Sequence, residues 1–119
     1  MIGMGPFLPA AHTPFAHCPA GSAALTLRLV ALMRLRFPRA LIPATTALAT
    51  LDGQGRVAAI LSGANVVMPN LSPSGVREKY AIYDHKACQG GESAEGVRQL
   101  EQELRSIGYH IDYGRGDYV

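Results

Sequence analysis

Tryptophan is absent from this chain, and only two cysteines, Cys18 and Cys88, stand far apart in it. Two distant thiols make no disulfide framework, and neither sits in a cluster with metal-ligand spacing. They fit a reducing cytosol, which is the compartment expected here. No apolar run approaches the ~20 residues that a membrane span requires. The opening MIGMGPFLPAAH has neither a basic start nor a long apolar stretch, so no signal peptide is expected. Net charge is small as well: 11 Lys and Arg against 9 Asp and Glu leave +2, too little to argue for nucleic acid. Arg28, Arg34, Arg36 and Arg39 bunch together without interleaved aromatics, which reads as a solvated or interface face. Neither GxxxxGK[ST] nor GxGxxG occurs, so Asp52-Gly-Gln-Gly-Arg56 reads as a tight turn and not a phosphate loop. No Ser/His/Asp or Cys/His catalytic set follows from spacing.

What is present is a packed α/β pattern. The 119 residues are one domain or part of one, 48% apolar, with 13 glycines and 8 prolines to make turns. Met1 to Phe7 reads as a short buried strand, followed by a long loop from Pro9 to Gly21. Ser22 is a plausible N-cap for a helix that runs to about Phe37 and is stopped by Pro38. Thr26, Leu29, Val30, Met33 and Phe37 share one face of it at helical spacing, with Arg28 and Arg39 opposite. Leu41 to Thr50 reads as a strand. Arg56 to Ser62 reads as a short helix closed by Gly63, and Asn65 to Met68 as a buried strand. Ser74 to about Tyr83 is an expected helix. Gln89-Gly-Gly is a linker. The last helix starts at Ser93, carries Val97, Leu100, Leu104 and Ile107 as one stripe, and ends at Gly108. An extended polar tail follows. Such alternation of strand and helix implies a parallel sheet. Three strands close no barrel, and a (β/α)8 barrel needs about 250 residues. The pattern therefore fits a small open α/β sandwich or the last three βα units of a barrel.

In a parallel βαβ unit both strand ends face the same way, and α/β proteins place ligand sites on that rim. Thr45, Thr46 and the segment Met68–Asn70 fall there. Their hydroxyls can donate to a carboxylate or another anion. The plainer reading is that they bond the neighbouring backbone and end the strand. Met68 is equally a core filler. Tyr80 and Tyr83 are one helical turn apart, which also suits packing with a wet hydroxyl. His12, His17 and Cys18 share a loop, and His85 and Cys88 form a loose pair, but both spacings are poor for a metal. Arg115-Gly-Asp117 reads as polar tail.

Taken together, MIGMGPFLP with its TPF turn, IPATTALATLDGQGR, GANVVMPNLSP and VREKYAIY resemble the C-terminal third of radical-SAM enzymes of the FeFe-hydrogenase maturase (HydE) family, relatives of biotin synthase and methylornithine synthase. The resemblance covers roughly Met1 to Cys88 and fades beyond it. It implies that residues 1–88 are the last three βα units of a (β/α)8 TIM-type barrel, and that 89–119 are a linker, C-terminal helix and tail. It also implies H-cluster assembly as the parent function, with S-adenosylmethionine and a 4Fe–4S cluster as cofactors and a small organometallic or amino-acid-derived substrate. In the family the threonines matching Thr45 and Thr46 face the internal cavity, as do methionines matching Met68 and Met1. Tyr80 and the backbone near Ile82 match contacts to S-adenosylmethionine.

The chain departs from the family in lacking the C-x3-C-x2-C loop that holds the cluster, and the first five βα units have no counterpart. Some members carry a second cluster on C-x7-C-x2-C. Here Cys88 matches its first position, but Gly96 and Gln99 fill the others, so no second cluster is expected. The expectation is a piece of a maturase from a truncated or incompletely read gene, itself inactive and reliant on a missing N-terminal barrel half, with no nucleic-acid or membrane partner. The alternative is a stand-alone, non-catalytic module that complements a separately encoded half-barrel. A biotin-synthase-like sulfur insertase is a third option, against which the ATTAL and MPNLSP segments argue. Raw strand edges should make the isolated chain marginal, aggregation-prone or dimeric.

Overall fold

A computed structural model describes residues 1–69 and 93–117; the expected helix at 74–83 and the Gly-rich linker lie outside them. The element order is α1 (Ala23–Arg36), β1 (Pro43–Ala44), α2 (Thr46–Leu51), α3 (Gly55–Leu61), β2 (Val66–Val67) and α4 (Ser93–Ser106). The architecture is a small α/β arrangement in which β1 and β2 pair in parallel, Pro43 opposite Val66 and Ala44 opposite Val67.

α1 begins where the sequence indicates. Ser22 is its N-cap, with the hydroxyl oxygen accepting the Leu25 N–H at 3.2 Å. Two other ends follow from glycine. At Gly63 (φ +115°) the N–H groups of Gly63 and Ala64 turn back to Ile60 and Ala59, and at Gly108 (φ +82°) those of Gly108 and Tyr109 turn back to Arg105 and Leu104. Both are Schellman closures, which need the left-handed backbone that glycine adopts without a Cβ penalty.

Two expectations are corrected. Leu41 to Thr50 is not one strand: only Pro43–Ala44 pairs, and Thr46–Leu51 is helical. After Ala44 the run TTALATL supplies an N-cap threonine followed by alanines and leucines, strong helix formers that win over the β-branched threonines. Two helices therefore separate β1 from β2 where one was expected. Met1–Phe7 is not a strand of the sheet either. It nonetheless runs beside β1: the Ile2 N–H donates to the Leu41 carbonyl at 2.8 Å, and Gly5 abuts Thr45. Position rises along both segments together, so the two run parallel. Glycine at 3 and 5 and proline at 6 leave little to support a ladder.

The core gathers Val30 of α1, Ile42 and Ala44 around β1, Leu48 of α2, Ala59 and Ile60 of α3, and Leu100 and Leu104 of α4. Ile2 and Met4 pack on it from the N-terminal segment. α3 lies against α1, α2 and β1. On α1, Thr26 and Val30 are buried and Met33 half-buried as the spacing predicts, but Leu29 and Phe37 are exposed. On α4 the stripe holds: Leu100 and Leu104 are buried, Val97 and Ile107 half-buried. Arg56 meets Glu103 at 3.5 Å across the α3–α4 junction.

Candidate functional site: the rim at the strand ends

The parallel register fixes the rim. Thr45 is the residue after the last pair on β1, and Met68 the residue after the last pair on β2. Gly5, at the same end of the N-terminal segment, comes so near that a Cβ built on it would stand 2.9 Å from the Thr45 hydroxyl oxygen. Three chain segments thus bring Gly5, Thr45 and Met68 to one edge. Met68 is 49% exposed there, a half-covered thioether and not a core filler.

Thr45 does what the plainer reading of it expects. Its hydroxyl oxygen caps α2 by accepting the Leu48 N–H at 3.4 Å, a long bond. A hydroxyl has one proton to give as well as lone pairs to receive, so this cap leaves its O–H able to donate to a ligand oxygen. Thr46 is the first residue of α2, half-buried, and its carbonyl accepts the Thr50 hydroxyl at 2.9 Å.

Two features missed in the sequence hold this rim in place. The Asn65 side-chain oxygen accepts the Ile42 N–H at 2.8 Å, and the Ile42 carbonyl receives the Asn65 and Val66 N–H groups. Asn65 thereby sets the depth of β2 against β1. Arg34, expected on a solvated face, is instead partly buried. Its Nε donates to the Gly63 carbonyl at 2.8 Å and Nη1 to the Pro38 carbonyl at 2.7 Å. One guanidinium so ties the end of α1 to the turn that launches β2. A polar residue directly before Val-Val was the only sequence signal for Asn65. Arg34 had none, because the contact spans distant chain.

Other expected residues are not brought together. Met1 is 76% exposed and stands at the opposite end of its segment from Gly5, beside the start of β1. His12, His17 and Cys18 are exposed on their loop. Tyr80, Ile82, Tyr83, His85 and Cys88 lie outside the described residues. Among the described residues no three His, Cys, Asp or Glu side chains gather as a metal site. With two cysteines in the whole chain, the residues present do not fit a 4Fe–4S cluster, which takes three or four. No described helix is long and apolar enough to cross a membrane.

No family model matches the chain. Comparison with curated proteins decides the relationship: 88 residues are 47% identical to the [FeFe] hydrogenase maturase subunit HydE of Thermotoga maritima, covering 74% of this chain. The chain is homologous to radical-SAM proteins. The 3-methylornithine synthases of Methanosarcina barkeri and Methanosarcina acetivorans match at 36% identity over 102 and 84 residues. The chain spans about a quarter of the length of these relatives: 25% of HydE and 29% and 23% of the two synthases. The HydE-type resemblance read from ATTAL, GANVVMPN and KYAIY therefore stands as homology.

Proposed function

We propose that this chain supplies the C-terminal portion of a radical-SAM barrel of the HydE type, acting in FeFe-hydrogenase H-cluster assembly. In this reading the rim formed by Thr45, Thr46 and Met68 is one wall of the substrate cavity, and Tyr80 and the backbone near Ile82 contact S-adenosylmethionine. The observation that carries it is the parallel register, which brings Thr45 and Met68 to a common edge, together with the 47% identity over 88 residues to a protein named as a hydrogenase maturase subunit. The Thr45 O–H would donate to a substrate oxygen while its lone pair keeps the α2 cap. Met68 would offer a polarizable, water-excluding contact. Cluster ligands would come from elsewhere in a complete barrel, and no step through the cluster is assigned to this chain.

The test is a chimera in which the matched 88 residues of the Thermotoga maritima maturase are replaced by those of this chain. The expected outcome is a chimera that supports hydrogenase maturation and loses most of that support on Thr45→Val. A folded chimera without maturation activity, alongside a working chimera built on a 3-methylornithine synthase, would move the assignment to amino-acid chemistry. Sequencing the DNA upstream of the Met1 codon adds a second check, since an in-frame C-x3-C-x2-C region is expected there.

A further inference from the structure

Gly5 stands at the rim for a reason other than its backbone. Among the described residues the glycines with positive φ are Gly63, Gly108 and Gly116, so the φ of Gly5 is one that L-residues adopt. Neighbouring backbone does not demand a glycine there either. A Cβ on Gly21 would stand 2.8 Å from the Phe7 nitrogen, and one on Gly55 would strike the Leu48 carbonyl. A Cβ on Gly5 would have as its three nearest atoms only the side chain of Thr45: Oγ1 at 2.9 Å, and Cβ and Cγ2 at 3.5 Å each. Gly3, two residues earlier on the same segment, has nothing within 4 Å of that position. An O–H···O bond spans about 2.5–3.0 Å. The place that a methyl group on residue 5 would fill is therefore one that an oxygen bonded to the Thr45 hydroxyl can occupy. Both walls of this notch belong to this chain, and the Ile2–Leu41 bond holds the segment that carries Gly5 beside β1.

We propose that Gly5 is a specificity-determining residue: the side chain it lacks leaves the space in which a ligand oxygen accepts the Thr45 hydroxyl proton. This rests on the reading of the rim as one wall of the substrate cavity, and it adds what that wall selects. A ligand that places an oxygen in the notch gains the bond. One that places a methyl or methylene there gains none and leaves the hydroxyl without its partner, the kind of mismatch on which polar sites discriminate. Any residue larger than glycine at position 5 would act as such a misplaced methyl group, built into the protein. A glycine kept for packing alone would meet the backbone beside it, as Gly21 and Gly55 do, and not a threonine side chain.

The experiment uses the maturase chimera described above, carrying Gly5→Ala, Thr45→Ala, both together, or Gly3→Ala as the control on the same segment. Two quantities are read, hydrogenase maturation and the urea midpoint of the purified chimera. Gly5→Ala is expected to lower maturation about tenfold or more, the effect of one methyl group in a selective pocket. Its urea midpoint should lie no lower than that of Thr45→Ala, which gives up the α2 cap altogether. Gly3→Ala should mature hydrogenase as well as the parent chimera. The combined variant should fall no lower than Thr45→Ala alone, because the added methyl acts only on a hydroxyl that is already gone. A Gly5→Ala chimera as active as Gly3→Ala, a combined variant in which the two losses multiply, or a Gly5→Ala chimera that unfolds below the Thr45→Ala midpoint or does not fold would each overturn the proposal. An inactive parent chimera would overturn the reading of the rim and this proposal with it, whereas an active parent indifferent to Gly5→Ala removes this proposal alone.

Discussion

Asn65 and Gly63 show how single residues hold the rim. Asn65→Ala would leave the Ile42 N–H without its acceptor in a place where Ile42 itself is fully buried. Leaving a buried donor unpaired costs about 1–3 kcal/mol, so a fall of that size in urea-unfolding stability is expected, with Asn65→Asp retaining part of it. Gly63→Ala meets two obstacles at once. Its backbone sits at φ +115°, and the added Cβ would lie 2.7 Å from Cβ and 2.8 Å from Cγ of Arg34. A loss of about 1–3 kcal/mol follows from the strained backbone and the overpacking; a neutral Gly63→Ala in the same assay would show that α3 can end without the Schellman turn. Glycine as a helix stop was legible in the sequence at Gly63 and Gly108, because that rule is local. The Arg34 and Asn65 bonds were not, because they join residues that only the tertiary fold makes neighbours.

Elements reveal a sharper limit of local reading. α1 and α4 were legible because each is long, amphipathic or capped, and bounded by clear stops. The stretch from Thr45 to Leu51 was not. Threonine favours strands, but Thr45 in the cap position followed by an Ala/Leu run makes a helix, and a short segment is decided by that context. The rim position of Thr45 nevertheless came out as expected, since a residue that ends a strand and one that caps the next helix occupy the same corner. α4 permits a test of what fastens an element to the core. Leu104→Ala removes a buried side chain and should cost about 2–5 kcal/mol. Glu103→Gln removes the carboxylate facing Arg56, a partly exposed ion pair, and should cost under about 1 kcal/mol. Thermal unfolding of the two variants checks the ranking, and the reverse order would make α4 an electrostatically held element.

At the scale of the whole molecule, the sheet among the described residues is small. Among the described residues β1 and β2 form a two-stranded sheet, with the N-terminal segment alongside β1. Two strands make a weak sheet by themselves, and unpaired edges invite other chains. The isolated chain is expected to associate through those edges, with a sedimentation coefficient that rises with concentration. Val67→Lys should suppress this association. A clean monomer with a cooperative thermal transition would contradict it. The relationship to HydE was legible in the motifs ATTAL, GANVVMPN and KYAIY, whereas the number of helices between β1 and β2 was not. The Arg34–Gly63 and Ile42–Asn65 bonds close intervals of 29 and 23 residues along the chain, whereas the helix caps close intervals of three. Loop closure is slower and entropically dearer the longer the interval. The alignment of Thr45 with Met68 therefore waits on the closure of long chain intervals, a step that local helix formation alone does not supply.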